Sequence, residues 1–313
     1  MKHELLALET TNDIVSFKKL FSIIFRMKWF ILFITLAFAV GSVYIAMGKP
    51  NVYTAKGIFV PAQSDSGGGL SQLAGQFGGL AGIAGISLGG GKGDDNAIAL
   101  QLLKSRSFLQ SFIEKRNLLP QLLAATKWDQ ASDSLIYNEE LYNAQEKKWV
   151  RGAPPGRKII PTPWEGYYTL LSLIQIEYIS KKGYINISVT YLSPELATKW
   201  LTWLVADLNS YWRLQEKKLA DDSIEYLQQQ VATTNNSEML TIFYSIIAEQ
   251  TQKTVLAEVR KEYLFKTLAP IVTPEEKSGP SRALIAAAGT FLGALLSLLF
   301  SFVYVNIRPE KVK

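Results

Sequence analysis

Two stretches of the chain run without a charge for about the length of a bilayer crossing, one near each end. The first is Trp29–Gly48, WFILFITLAFAVGSVYIAMG, and the second is Ala283–Val305, ALIAAAGTFLGALLSLLFSFVYV. A membrane-spanning helix needs roughly 20 apolar residues, so both read as spans. The first is too long for a signal-peptide core and no small-residue cleavage site follows it, which marks a retained anchor. Between the spans the pattern changes. VYTAKGIFVPA alternates as a strand does, and IQIEYISKKGYINISVTYL reads as two strands around Lys181-Lys182-Gly183. Ile98, Leu102, Leu109, Phe112 and Ile113 recur at helical spacing, with Asp94, Asp95 and Asn96 as candidate N-caps.

Ser193-Pro194-Glu195 is a helix start, serine as N-cap and proline at the first helical position. The helix it opens is apolar on one face through Trp200, Leu201, Leu204, Leu208 and Trp212. Farther along it is polar, with Lys217/Asp221 and Lys218/Asp222 spaced for i,i+4 pairs. Asn235-Asn236-Ser237 breaks it and caps a second helix, expected from Glu238 to about Phe265. Residues 194–265 thus form a long arm of two antiparallel helices on an α+β base. Arg151–Pro163 is a proline-rich loop, and Pro270, Pro274 and Pro280 forbid a continuous helix on the way back to the second span. That return segment is expected to be extended and to pair with the strand that leaves the first span.

Ser66–Gly93 is glycine-rich and has no charge before Lys92. It is no nucleotide loop: a Walker A sequence ending at Gly91-Lys92 needs glycine at Ile86 and Ser or Thr at Gly93. A third span would suffer the helix cost of glycine, roughly 1 kcal/mol each against alanine, and would put the termini on opposite sides. What remains is a loop outside the membrane. It is either a flexible connector or a short apolar stripe, Leu70, Leu73, Phe77 and Leu80, that touches lipid or a partner.

Charge then orients the chain. Lys18, Lys19, Arg26 and Lys28 precede the first span, and Arg308, Lys311 and Lys313 follow the second. Lys49, Lys56, Lys277 and Arg282 lie on the inner flanks, so the bias is modest, but it places both termini in the cytoplasm. The expected order is a cytoplasmic tail 1–28, span 29–48, an external domain 49–282, span 283–305 and a tail 306–313. In a Gram-negative bacterium the external domain lies in the periplasm. The net charge of +6 is dispersed in the central domain, which favours a membrane over nucleic acid as its cause.

There is no cysteine, and the single histidine is His3 in the N-terminal tail. Histidine-based metal sites and triads in the main domain are excluded. The carboxylate pairs Asp94/Asp95, Glu139/Glu140, Asp221/Asp222 and Glu275/Glu276 are adjacent residues, which diverge on a helix, so no acid/base pair is formed. No catalytic residue, cofactor or metal is expected. Gly289, Gly293, Ser297 and Ser301 do form a pattern, one small residue every four along the second span. That face allows close approach of another helix, either the first span or a neighbouring subunit.

This order of features resembles the Wzz-type chain-length determinants, polysaccharide co-polymerases of bacterial surface glycans. The carriers are the first span followed by YTAKGIFVP, then ALQLLKSRSFL, SPELATKWLTWLVADLN and PEEKSGPSRALIAAAGTFLGALLS. The stretch from Pro120 to Pro163 matches more loosely. The resemblance implies an inner-membrane protein with two transmembrane helices flanking a periplasmic α+β domain with long antiparallel helices. It implies a ring-like homo-oligomer, usually an octamer, beside a Wzy-type polymerase. Its membrane site brings lipid and the growing lipid-linked glycan within reach. It implies a non-catalytic scaffold that sets the modal length of O-antigen or a related glycan. With the chain ending at Lys313, the tyrosine-autokinase branch is not expected. A component of a polysaccharide exporter shares the two-span plan and is the rival reading; a membrane sensor would need an output module that neither tail provides.

Overall fold

The computed structural model describes residues 25–62, 92–179 and 182–307. The chain forms two compact units: one joins the stretches around the two terminal apolar helices, and the other spans Asn51–Ser278. In chain order the elements are α1 (Lys28–Gly48), β1 (Tyr53–Pro61), α2 (Lys92–Leu103), α3 (Arg106–Arg116), α4 (Leu119–Leu123), β2 (Ala125–Asp129), β3 (Ser134–Tyr137), β4 (Tyr142–Asn143) and β5 (Lys148–Trp149). They continue as α5 (Pro163–Leu173), β6 (Ile174–Ile179), β7 (Tyr184–Tyr191), α6 (Pro194–Thr233), α7 (Ser237–Val259), β8 (Phe265–Val272) and α8 (Arg282–Ile307).

The central unit is built on a four-stranded antiparallel sheet in the order β6-β7-β1-β8. The alternation of β7 is visible in burial: Ile185, Ile187, Val189 and Tyr191 point inward and the residues between them do not. The β6–β7 turn carries Gly183 at φ +69°, a conformation that side chains with a Cβ resist. The inward face meets the first turns of α6, through Trp200, Leu201, Leu204 and Leu208, and α3 joins the same core through Phe108, Leu109, Phe112 and Ile113. Trp200, Phe59 and Phe265 are fully buried in this core. At about 25 cal/mol per Å2 of apolar surface, such residues dominate the burial energy.

The return segment does pair with the outgoing strand. β8 runs antiparallel to β1 at the sheet edge, with Lys56 opposite Val272 but Ile58 opposite Ala269. Gly57 alone on β1 thus faces Pro270 and Ile271 on β8, which form a bulge. An edge bulge is where a strand tolerates proline, because no ladder donor is missing there. Ser278 closes the end of the strand pair, its N–H donating to the Val52 carbonyl and its Oγ accepting from the Thr54 N–H.

Several expectations change. The helical segment around Leu102 is two helices, α2 and α3, broken at Lys104-Ser105. Ser105 is the true cap, its side chain accepting from the Phe108 N–H. Lys92 and Gly93 already belong to α2, so Asp94, Asp95 and Asn96 lie inside a helix and not before it. The rest of the glycine-rich run, with its apolar positions, lies outside the described residues. The arm's second helix ends at Val259, short of Phe265, because Phe265 is instead the first residue of β8 and is pulled into the core.

The proline-rich loop ends in a helix not anticipated, α5. Glu165 accepts from the Thr162 N–H, and from Arg151 at 2.9 and 3.0 Å through its two oxygens. Arg151 also donates to the carbonyls of Lys158 and Ile159, so one guanidinium ties the loop to the helix start. The Arg151 hydrogen bonds hold the Glu165 carboxyl below the usual carboxylate range, against the opposing effect of burial. A lowered folded value means this contribution is present above the ordinary glutamate pKa of about 4.3. It is lost as pH falls through the folded value. Both side chains are nearly buried, 12 and 7% exposed, so Arg151→Met should cost about 3 kcal/mol at pH 7 and flatten the acid limb of stability. Thermal melts at a series of pH values check both.

Candidate functional site

Among the described residues no group of three or more His, Cys, Asp or Glu is placed to hold a metal ion, and the features the structure sets apart are surfaces. Three are defined: the terminal helix pair, the membrane-return segment and the arm.

α1 and α8 are each long and apolar enough to cross a membrane, and only 11% of either span is buried. Phe33, Leu36, Met47, Leu284, Phe291 and Phe300 stand open. So much open apolar surface demands an apolar surrounding. What the two helices bury is small and polar. Ser297 and Ser301 are fully buried and Ser42 nearly so. Ser301 Oγ donates to the Ser297 carbonyl and Ser297 Oγ to that of Ala294, so neither hydroxyl faces hydrocarbon unpaired. Ser42 Oγ donates to Ala39 within its own helix at 2.8 Å and reaches the Ala286 carbonyl of α8 at 3.4 Å.

Gly289 lies against Ser42: a Cβ there would come within 2.7 Å of its Oγ. Gly293 lies against Phe38, and a Cβ would fall 2.5 Å from the Phe38 Cβ. Ordinary carbon contacts are about 3.5–4.0 Å, so neither position has room for any side chain. Of the four small residues singled out by spacing, Gly289 and Gly293 lie against α1, while Ser297 and Ser301 are fully buried farther along α8. Of the two partners left open by the sequence, this single chain supplies the first span. Phe30 and Phe300 stack at 5.7 Å between ring centres on the same pair.

Pro270, Pro274 and Pro280 do not converge. Pro270 sits in the β8 bulge, while Pro274 and Pro280 lie on the irregular stretch between β8 and α8. Their common property is the one that spacing supplied, exclusion of helix.

The arm is α6 and α7. At 1.5 Å per residue, the 40 residues of α6 extend roughly 60 Å. Its first third is buried in the base. Arg116 of α3 holds it there, donating to both oxygens of Asp207 at 2.9 and 2.8 Å while stacking 4.3 Å from the Trp203 ring. Asn209, a buried residue that spacing did not mark, joins α6 to the returning chain. Its Oδ1 accepts from the N–H groups of Leu264 and Phe265, and its Nδ2 donates to the Phe265 carbonyl. Beyond the base, Lys217 pairs with Glu258 of α7 at 2.5 Å and Thr254 donates to Asp221. The expected i,i+4 pair Lys217/Asp221 is therefore replaced by bonds between helices. These pairings, 217 with 258 and 221 with 254, show that α6 and α7 run antiparallel. The arm leaves Leu214, Leu219, Tyr226, Tyr244, Val255 and Val259 exposed.

Residues 13–116 match the Wzz family, described as chain length determinant protein. The match covers about a third of the chain, from the N-terminal tail through α3. A full-length bacterial polysaccharide co-polymerase is similar at 14% identity over 94% of this chain and 98% of its own, with a TM-score of 0.34. A fragment of WzzB, the polysaccharide co-polymerase from Salmonella Typhimurium, is similar at 11% identity over 73% of this chain and 100% of its own, with a TM-score of 0.35. Among curated proteins no relative matches.

Proposed function

We propose that this chain, whose residues 13–116 match the Wzz chain-length determinants, regulates the modal length of a bacterial surface polysaccharide, most simply the O-antigen of lipopolysaccharide. The family match is the observation that carries the reading. The architecture supports it: two apolar helices anchor a large α+β unit, and a long arm projects from that unit's core. The chain acts as a non-catalytic scaffold in the inner membrane, with the Asn51–Ser278 unit in the periplasm and a Wzy-type polymerase as its working partner. Exposed apolar side chains along the arm supply contacts for further copies of the chain, in a ring of about the octameric size the family resemblance implies. Gly289, Gly293, Ser297 and Ser301 fix how the two spans pack.

The topology is directly testable because the chain has no cysteine. A single thiol introduced as Glu139→Cys, on the exposed face of the base, should react with a membrane-impermeant maleimide in intact cells, and His3→Cys should not. The reverse labelling would overturn the assigned orientation. Loss of the gene should redistribute glycan lengths while total surface polysaccharide persists. Disappearance of the polysaccharide would favour the exporter reading instead.

A further inference from the structure

Where α4, the β2–β3 hairpin and the start of α6 meet, the base holds an open cleft of about 250 Å3. Its walls carry the rings of Trp128 and Tyr137 and the polar groups of Gln121, Asp133, Glu195 and Lys199. Trp128 is fixed on both sides, its Nε1 donating to Asp133 at 2.9 Å and its ring meeting Tyr53 edge-on at 5.4 Å. Gln121 is anchored by its backbone, whose carbonyl accepts from the buried Tyr191 hydroxyl at 2.6 Å. Glu195 and Lys199 take part in no ion pair among the described residues.

We propose that this cleft is a saccharide-binding subsite, which seats one or two sugar units of the polysaccharide whose length the protein regulates. The proposal rests on the length-control reading for the identity of that polymer. The chemistry is that of a sugar ring. The C–H faces lie on aromatic walls, and the hydroxyls donate to Asp133 and Glu195 while accepting from Lys199. The volume is below the roughly 300–1,000 Å3 of sites for drug-sized ligands, which suits a short saccharide and not a protein segment. A subsite of this kind gives the scaffold a hold on the growing chain that is separate from its helix contacts.

The test is saturation-transfer NMR on the full-length protein in lipid nanodiscs. The probe is the set of oligosaccharides released by mild acid from the host's own surface polysaccharide. The wild type should transfer to the oligosaccharide, and Glu195→Ala and Lys199→Ala should each weaken binding at least fivefold with unchanged melting. Glu195 and Lys199 are both exposed, so both variants retain the fold. No transfer, or equal affinity in wild type and both variants, overturns the proposal. The length-control reading fails separately, on the gene deletion. A deletion that alters lengths, beside a cleft that takes no sugar, sinks the subsite alone.

Discussion

Replacing Gly293 with leucine should separate α1 from α8 and move the glycan distribution toward that of a strain lacking the protein. A Cβ at this position meets the Phe38 side chain at 2.5 Å, and three further carbons have no space at all. Overpacking of this kind costs about 1–3 kcal/mol. In lipid no hydrophobic effect opposes the separation, since helices there associate through close packing and interhelical polar contacts. Gly289→Leu should act likewise through Ser42, and alanine at either position should have a smaller effect of the same sign. The local consequence is measurable in the cysteine-free chain. Crosslinking of Ser42→Cys to Ala286→Cys by a short flexible bis-maleimide, at positions where the Ser42 hydroxyl reaches the Ala286 backbone carbonyl at 3.4 Å, should proceed readily and should be reduced severalfold by Gly293→Leu. An unchanged ladder from well-expressed Gly293→Leu would remove helix packing from the account of length control.

Asn209→Leu should be among the most destabilising single changes in the base. Asn209 is 3% exposed, and its amide satisfies two backbone N–H groups and a carbonyl where the chain leaves the arm and enters β8. Leucine is similar in size but leaves all three groups buried and unpaired. At about 1–3 kcal/mol for each such group, the loss is about 4 kcal/mol once partial relaxation is allowed. Asn209→Asp keeps the acceptor but buries a carboxylate whose second oxygen faces the Val205 and Phe265 carbonyls, so it should also be less stable than wild type at neutral pH and recover as the carboxyl is protonated. Chemical denaturation of the purified protein checks the order. Equal stability of Asn209→Leu and wild type would show that another group secures the arm to β8.

These two positions also show what a sequence reveals. Gly289 and Gly293 were legible because a four-residue period of small side chains on an uncharged helix has a packing meaning by itself. Their counterparts Ser42 and Phe38 were not, because which face of α1 turns toward α8 depends on the folded pair. Asn209 was invisible for a similar reason. It sits among apolar residues on α6, and only the arrival of β8, 55 residues later, makes its amide necessary. The helix α5 was missed although its signal was present: Thr162-Pro163-Trp164-Glu165 is a capping sequence with proline at the first helical position. The end of α7 was misplaced because local helical pattern continued to Phe265, while tertiary packing claimed that residue for the sheet.

The most direct measurement is a polysaccharide ladder gel from a strain lacking the gene, with and without the wild-type copy restored. Deletion should convert a clustered distribution of chain lengths into a smooth decay, and restoration should bring the cluster back. A ladder that is the same in all three strains would contradict length control of that glycan.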